Sequence, residues 1–537
     1  MKRKALAGAA AVVAVAVVAA VASRATEPAP PISQQTVAQK LLATQRTRFM
    51  SATALRVLRQ IAGRSDPERG GEGAAEPVAG GPAGRLAVAA SLLPNVRVNN
   101  PAMDSHQIDQ TTQSETTIAV AGSNVAVGYN DTQHGLLTLT AATNTSGVAW
   151  SGDGGRTFTD LGNIPNAVGL ANLGDPWLAA DRQGRMFYGT LVLDAANGPL
   201  GVGVARSTSA GRHWAPPVEV SPKVGLNSFY LGDKDAVAAG ADAASPGRDA
   251  VYATWDDVSC LATTFTCTDG LALAKSTDGG VSYTLSYIDQ NSEQDCSFTG
   301  YFGTQPLVTT GGVLFVAAER ISVDDPQCEG TGQLALQEVV FRSGDGGRTF
   351  SPARVVETIT PATPSGFVRL GRGQLMRLNE APSIAFHDGR LYVAWNDGRL
   401  GAPHIRFAAS ANGGQTWSRS WATDGGSTEV MPALSADAAG VHLLFYNIHG
   451  NAFDAVLGDS GGGTSFAFRR VSSESSRGVV TAPNFDPTVA WGYMGDYVAN
   501  VSAGGHRYLA WGDNRDRVTN WLWPQGRPDP DVFFARD

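Results

Sequence analysis

Cysteine is scarce in this chain: four in 537 residues, at Cys260, Cys267, Cys296 and Cys328. Basic residues are also in the minority. The 41 Lys and Arg against 49 Asp and Glu give a net charge of −8, which argues against a nucleic-acid binder with its basic face. After Val21 no apolar run approaches the length at which a helix crosses a bilayer. The sequence has no HExxH, no phosphate-binding P-loop and no GxGxxG dinucleotide turn, and its eight histidines lack metal-ligand spacing. Neither a resident metal nor an organic cofactor is expected, with a calcium ion under an acidic rim as the alternative.

The N-terminus carries an address. Lys2, Arg3 and Lys4 precede the apolar run Ala5–Val21, and Ala20-Val21-Ala22 offers small residues before Ser23. Residues 1–22 read as a secretory signal peptide, and the run is too short and too Ala-rich to favour a membrane anchor. A secreted, extracellular protein follows, and its four cysteines are expected as two structural disulfides, 260–267 and 296–328. Residues 23–98 are low in complexity ("EPAPP", "GGEGAAEPVAGGPAG") and read as a linker. Within it, the apolar spacing over Val37–Ile61 predicts one amphipathic helix, serving as a spacer or a surface brace.

From residue 99 to 537 the sequence repeats itself. "SGDGGRTF" stands at Ser151–Phe158 and again at Ser343–Phe350, with looser copies beginning at Ser207, Ser276 and Ser410. The shared form, Ser-x-Asp-x-Gly-x-x-aromatic, is a turn: the carboxylate accepts backbone N–H groups, glycine supplies a positive φ, and the ring packs inward. Each copy follows a strand, a Gly- or Asp-bearing turn and a second strand with a polar end, as in "PSIAFHDGRLYVAWND". A sixth unit has the decayed copy "DSGGGTSF" at Asp459–Phe466, and a seventh runs into "DVFFARD". The predicted fold is all-β: a propeller of four-stranded antiparallel blades, seven favoured and six the alternative. A strand near "NVRVNN" is expected to pair with "DVFFARD" and close the ring.

These repeats resemble Asp-box (BNR) repeats, and residues Glu115–Asp537 are similar to the sialidase-like propeller superfamily, particularly its secreted bacterial members. The resemblance implies that the octapeptides lie on the face opposite the active site and hold blades together. The arginine of the sialidase Phe/Tyr-Arg-Ile-Pro motif is not matched, since "SETTIAV" places Glu115 there. The nucleophilic tyrosine of sialidases would fall near Tyr493 or Tyr497.

The repeat register itself collects candidates at the innermost-strand starts, among them Glu115, Asp175, Asp233, Lys234, Glu380 and Asp496. Arg320, Asp397, Arg399 and Arg515 fall at second-strand ends. Clustered carboxylates raise one another's pKa, the condition for dividing acid and base roles in glycosidic cleavage. Asp175, Asp496, Glu115 and Tyr497 are the catalytic candidates. Asp175 and Asp496 form the best pair, each expected to have its pKa raised by aromatic neighbours. Arg320, Arg399 and Arg515, with Asp397 and Trp177, are the candidates for substrate binding. The expected function is that of a secreted, monomeric glycoside hydrolase, sialidase-like, acting on extracellular glycans. The alternatives are a non-catalytic propeller binding polysaccharide or a cell-surface protein, and a polysaccharide lyase. The protease-like GDSGG at Gly458–Gly462 falls where the sixth octapeptide belongs and has no accompanying histidine motif.

Overall fold

The computed structural model describes residues 33–64, 78–79, 88–89, 93–194, 200–223, 228–261, 266–293, 296–328, 332–363, 365–371, 374–423, 427–478, 486, 488–489 and 492–537. The expected signal peptide, residues 1–22, lies outside them, as does much of the Pro- and Gly-rich linker. The described residues are almost all β, in groups of antiparallel strands. One 13-stranded sheet contains the first three groups, starting at Gln113–Ala121, Trp177–Ala180 and Ser228–Asp242. Further sheets hold groups starting at Phe298–Val308, Ser383–His387 and Thr428–Asp437. The last group begins at Ala499–Ala503 and continues through His506–Val518 and Arg527–Arg536.

That last group takes its fourth strand from the other end of the chain. Val96 and Arg97 pair antiparallel with Phe534 and Phe533, as the "NVRVNN" reading expected. The starting strands of successive groups pack side by side, and Ala499–Ala503 packs against Gln113–Ala121. Buried Ile118, Val127, Tyr129, Ala510, Val532 and Phe534 fill the seam between first and last groups.

The octapeptides join third to fourth strands. At the first copy the Ser151 hydroxyl donates to Asp153 Oδ1 (2.8 Å) and accepts the Gly155 N–H, while Asp153 Oδ1 accepts the N–H groups of Arg156 and Thr157. The Ser343 and Ser276 copies make the same bonds, and in the Ser410 copy Asn412 replaces aspartate, its Oδ1 accepting from the Ser410 hydroxyl and the Thr416 N–H. The aromatic then reaches its neighbours: Phe158 meets Phe534 edge-on at 5.0 Å, across the seam. Both disulfides pair as expected, Cys260–Cys267 and Cys296–Cys328. Among the described residues no helix is long and apolar enough to cross a membrane.

The single helix expected over Val37–Ile61 is corrected to two. Helix α1 (Gln34–Leu42) is capped by the Ser33 hydroxyl, and α2 (Ala52–Ile61) by that of Ser51. A 3-10 turn, Gln45–Phe49, separates them. Serine before a helix competes for the backbone of the preceding turn, so Ser51 starts a second helix instead of continuing the first. Nor are these residues a surface brace. Val37, Leu41, Ala54, Leu55 and Leu58 are buried in one core with Leu139, Leu173, Phe229 and Leu231.

Two glycines of the identical octapeptides should respond unequally to a methyl group. Gly155 and Gly347 both have left-handed φ values (86° and 82°), so alanine costs each about 1–2 kcal/mol. At Gly155 the new Cβ would lie 2.3 Å from the Phe534 ring, whereas at Gly347 its nearest neighbour is Leu273 at 3.1 Å. Gly155→Ala should therefore lose about 1–3 kcal/mol more than Gly347→Ala in urea unfolding. Equal losses would show that Phe534 does not clamp the seam.

Candidate functional site

The starting strand of a group is not regular. Register shifts interrupt its pairing between Ser114 and Thr117, Asp233 and Ala236, Phe302 and Gln305, and Val430 and Ala433. One residue inside each bulge is left-handed: Glu115 (φ 53°), Lys234 (47°), Gly303 (61°) and Met431 (58°). Asp175 (50°) holds the same place just before Trp177. Non-glycine residues adopt this conformation at a cost, and its recurrence at one structural position marks a place where the side chain must be re-aimed.

Re-aimed, these side chains meet. Lys234 Nζ lies 2.5 Å from Asp496, 3.2 Å from Asp175 and 3.6 Å from Glu115, joining residues up to 381 positions apart in sequence. All four are buried, Lys234 being 5% exposed. Arg377 lies 3.6 Å from Asp496 on its other side. Glu115 also accepts the Asp496 N–H (2.9 Å) and the Asn130 side-chain amide (2.8 Å). A cavity of about 160 Å³ adjoins the cluster, lined by Asp175, Trp177, Lys234, Asp235, Asp496 and Tyr497, among others.

The environments push the carboxyls apart. Burial raises Glu115 to about 8 and Asp175 to about 6, even though Lys234 pulls both down. Asp496 goes the other way. Burial would raise it, but Arg377 and Lys234 outweigh burial and hold it below its ordinary value. This corrects the expected rise at Asp496: burial does push it upward, but Lys234 and the unforeseen Arg377 together outweigh that push. Burial works against the charge on Lys234, and the three carboxylates more than offset it. Asp235, whose two carboxyl oxygens are buried without a hydrogen-bond partner among the described residues, is pushed well upward by burial and by Asp175.

Of the residues expected at the site, Asp175, Asp496, Glu115, Tyr497 and Trp177 are brought together. Tyr497 donates its hydroxyl hydrogen to the Pro176 carbonyl (2.8 Å), and its ring lies 5.4 Å from that of Trp177. Its phenol is therefore placed as a wall, with burial raising its pKa well above the ordinary value. The three arginines do not converge. Arg320 binds Gln337, Arg399 chelates Asp397 (2.6 Å) and reaches Glu357, and Arg515 pairs with Asp513 while stacking over Phe533. None of them, nor Asp397, lines the cavity. Each is held by partners on its own or an adjoining strand.

Arg377 and Asp235 were missed. The local signal for Asp235 was the tripeptide Asp233-Lys234-Asp235 in an otherwise apolar strand, three charges where one face must be buried. Arg377 had none, since it ends the short strand Leu375–Arg377, which pairs with Phe367–Arg369 before the fifth group begins and lies outside the repeat. Among the described residues no group of three or more His, Cys, Asp or Glu side chains has metal-binding geometry.

The N-terminal segment packs against residues that flank the cluster. Residues of α1, the 3-10 turn and α2 cross this face: the Ser51 N–H donates to Asp233 Oδ2 (2.6 Å), Arg48 pairs with Glu380 (3.4 Å), and Arg377 donates to the Met50 carbonyl.

No protein-family model matches the chain, and no curated protein matches it. Among solved structures it is similar to a Hadza microbial sialidase, with 13% identity over 68% of this chain and 66% of that one (TM-score 0.38). A phage phi92 endosialidase matches at 12% identity over 83% and 68% (TM-score 0.43). The α-L-arabinofuranosidase of Fusarium graminearum matches at 8% identity over 82% and 97% (TM-score 0.40). The chain spans just under two thirds of the Hadza sialidase's own length. At these identities the likeness is one of fold alone.

The charge balance at Lys234 is testable. Lys234→Met leaves three buried carboxyls with less counter-charge and should cost about 3–5 kcal/mol at pH 8. Glu115 and Asp175 are raised groups, so stability from their protonated forms is full below about 4 and is lost as pH rises through about 6 and about 8. The Lys234→Met deficit should therefore shrink markedly at pH 5, measured by urea unfolding at both pH values. An equal deficit at both would show that Lys234 is not the counter-charge.

Proposed function

We propose that the protein is a secreted glycoside hydrolase that cleaves extracellular glycans at the Lys234 cluster. In this reading the strand groups are blades of a closed seven-bladed ring, and the octapeptides are Asp-box turns on the opposite face. The observation that carries it is the pairing of carboxyls with opposed pKa shifts beside a cavity walled by Trp177 and Tyr497. Such opposed shifts are how one site supplies an acid and a carboxylate at the same pH. Asp175, raised to about 6, protonates the glycosidic oxygen as it leaves. Asp496, kept ionised by Arg377 and Lys234, faces the positive charge that develops on the sugar ring. The aromatic pair offers a face on which a sugar stacks.

A second reading, a glycan-binding propeller without catalysis, is favoured by one observation: these carboxylates are buried, and the N-terminal segment bonds the flanking Asp233 and Arg377.

The test is release of reducing ends from a glycan panel, using the whole chain and the chain cut within residues 65–77. Asp175→Asn should lower kcat about a hundredfold or more while leaving the unfolding midpoint near that of wild type. Wild-type kcat should fall as pH rises through about 6, the proton leaving Asp175. Cleavage of no glycan by either form, with binding retained, would establish the second reading.

A further inference from the structure

The segment 33–64 is joined to the strands in an unusual way. Among the described residues, every backbone-to-backbone hydrogen bond made by this segment stays inside it. The strand groups complete their ladders without it, the last one through Val96 and Arg97. What the segment gives the strands is an apolar helical face, the Ser51 N–H and Met50 carbonyl to the side chains of Asp233 and Arg377, and individual side chains: Gln34 donates to Ser228 O, Gln45 to Gly332 O, Thr53 to Leu173 O and Gln60 to Leu139 O. It touches several groups, always on the face where the carboxylates gather.

One contact is built far beyond the rest. Arg46, 4% exposed, forks onto Asp269 through two parallel bonds (2.7 and 3.0 Å) and onto Glu293 at 2.5 Å. Its guanidinium carbon stands 3.7 Å above the Phe298 ring. A bidentate carboxylate, a second acid and an aromatic floor are the components that select a guanidinium over an ammonium group. Beside it, a cavity of about 30 Å³ is lined by Arg46, Phe49, Met50, Asp233 and Asp256. Burial raises both Asp269 and Glu293 against the pull of Arg46, and the Glu293 charge raises Asp269 further, so an emptied pocket would hold two buried acids side by side and call for a cation.

We propose that Asp269, Glu293 and Phe298 form a guanidinium-binding site on the ligand face, filled in cis by Arg46, and that residues 33–64 are thereby a removable cap over the Lys234 cluster. The proposal rests on the reading of this face as the one that takes a ligand. While the chain is continuous, the tether keeps the cap at millimolar effective concentration, so modest intrinsic affinity suffices to hold it. A cut between residues 64 and 78 converts that closure into a bimolecular one, which dilution reverses.

The experiment uses the full chain with a specific protease site replacing residues 70–75, cut and then followed by gel filtration and intact mass at micromolar concentration. Arg46→Ala and Arg46→Lys should shed the fragment at least tenfold faster than wild type, the lysine lacking the fork. N-acetyl-arginine amide at millimolar concentration should speed release of the wild-type fragment, and the lysine analogue should not. The remaining strands should stay folded and unfold cooperatively, at a midpoint lowered by the apolar surface the fragment uncovers. Fragment release that unfolds the strands, Arg46→Ala release no faster than wild type, or equal effects of the two amides would each overturn the proposal. A shed fragment, folded strands and no cleavage of any glycan would support the cap while overturning the hydrolase reading.

Discussion

A single ammonium group organises the centre of this protein. Glu115, Asp175 and Asp496 come from the first, second and last strand groups, and each alone would be a poor candidate for burial. Lys234, from the third group, stands within 3.6 Å of all three. Three carboxylates around one lysine carry too much negative charge for a buried place, and the molecule resolves this in two ways. Arg377 adds a second positive charge beside Asp496, and the surplus acids, Glu115 and Asp175, move toward their neutral forms. The division of the carboxyls into proton holders and a permanent anion is therefore a result of charge balance, with the Asp175–Asp496 contrast as its chemical output.

The geometry that permits this is backbone, not side chain. Left-handed residues inside the bulges turn Glu115, Lys234 and Met431 out of the strand's alternation, as Asp175 is turned at its own strand start. Aspartate tolerates that conformation better than most residues, but glutamate, lysine and methionine do not favour it. Strain of this kind persists only where the surroundings over-determine it, and here closely packed starting strands do so. The octapeptide turns act at the opposite ends of the strands. They tie third to fourth strand by carboxylate-to-backbone bonds, and through Phe158 and Phe534 the first copy also tightens the seam.

The N-terminal segment shows how composition alone misleads. Flanked by Pro- and Gly-rich sequence, Val37–Ile61 reads as a brace on a linker, yet its apolar face covers Leu139, Leu173 and Leu231. Its arginines point to specific acids on different groups, and the ion pair at Arg46 satisfies geometry that a merely adhesive helix would not need. The expected arginine triad failed for a related reason. Strand-end arginines have a carboxylate two residues away, as Asp397 does for Arg399 and Asp513 for Arg515, and that local chelation is satisfied before any long-range convergence.

What the sequence determined by itself is the repeat: the octapeptide spacing, the alternating strands before each copy, the closing strand at Val96–Arg97 and the pairing of the four cysteines. Apart from the closing strand, which pairs the two ends of the chain, these were legible because each depends on short-range chemistry, in which a carboxylate bonds its own turn, a glycine adopts a positive φ, or two loops of one group face each other. The membership of the site was half legible, since equivalent register positions in different groups point to one centre. The charge state of that site was decided only in three dimensions. Whether a buried carboxyl is raised like Asp175 or lowered like Asp496 depends on cations within about 4 Å, and Lys234 and Arg377 reach Asp496 from 262 and 119 positions away. The cover over the site was decided there too, because no local pattern records which distant carboxylates an arginine will meet.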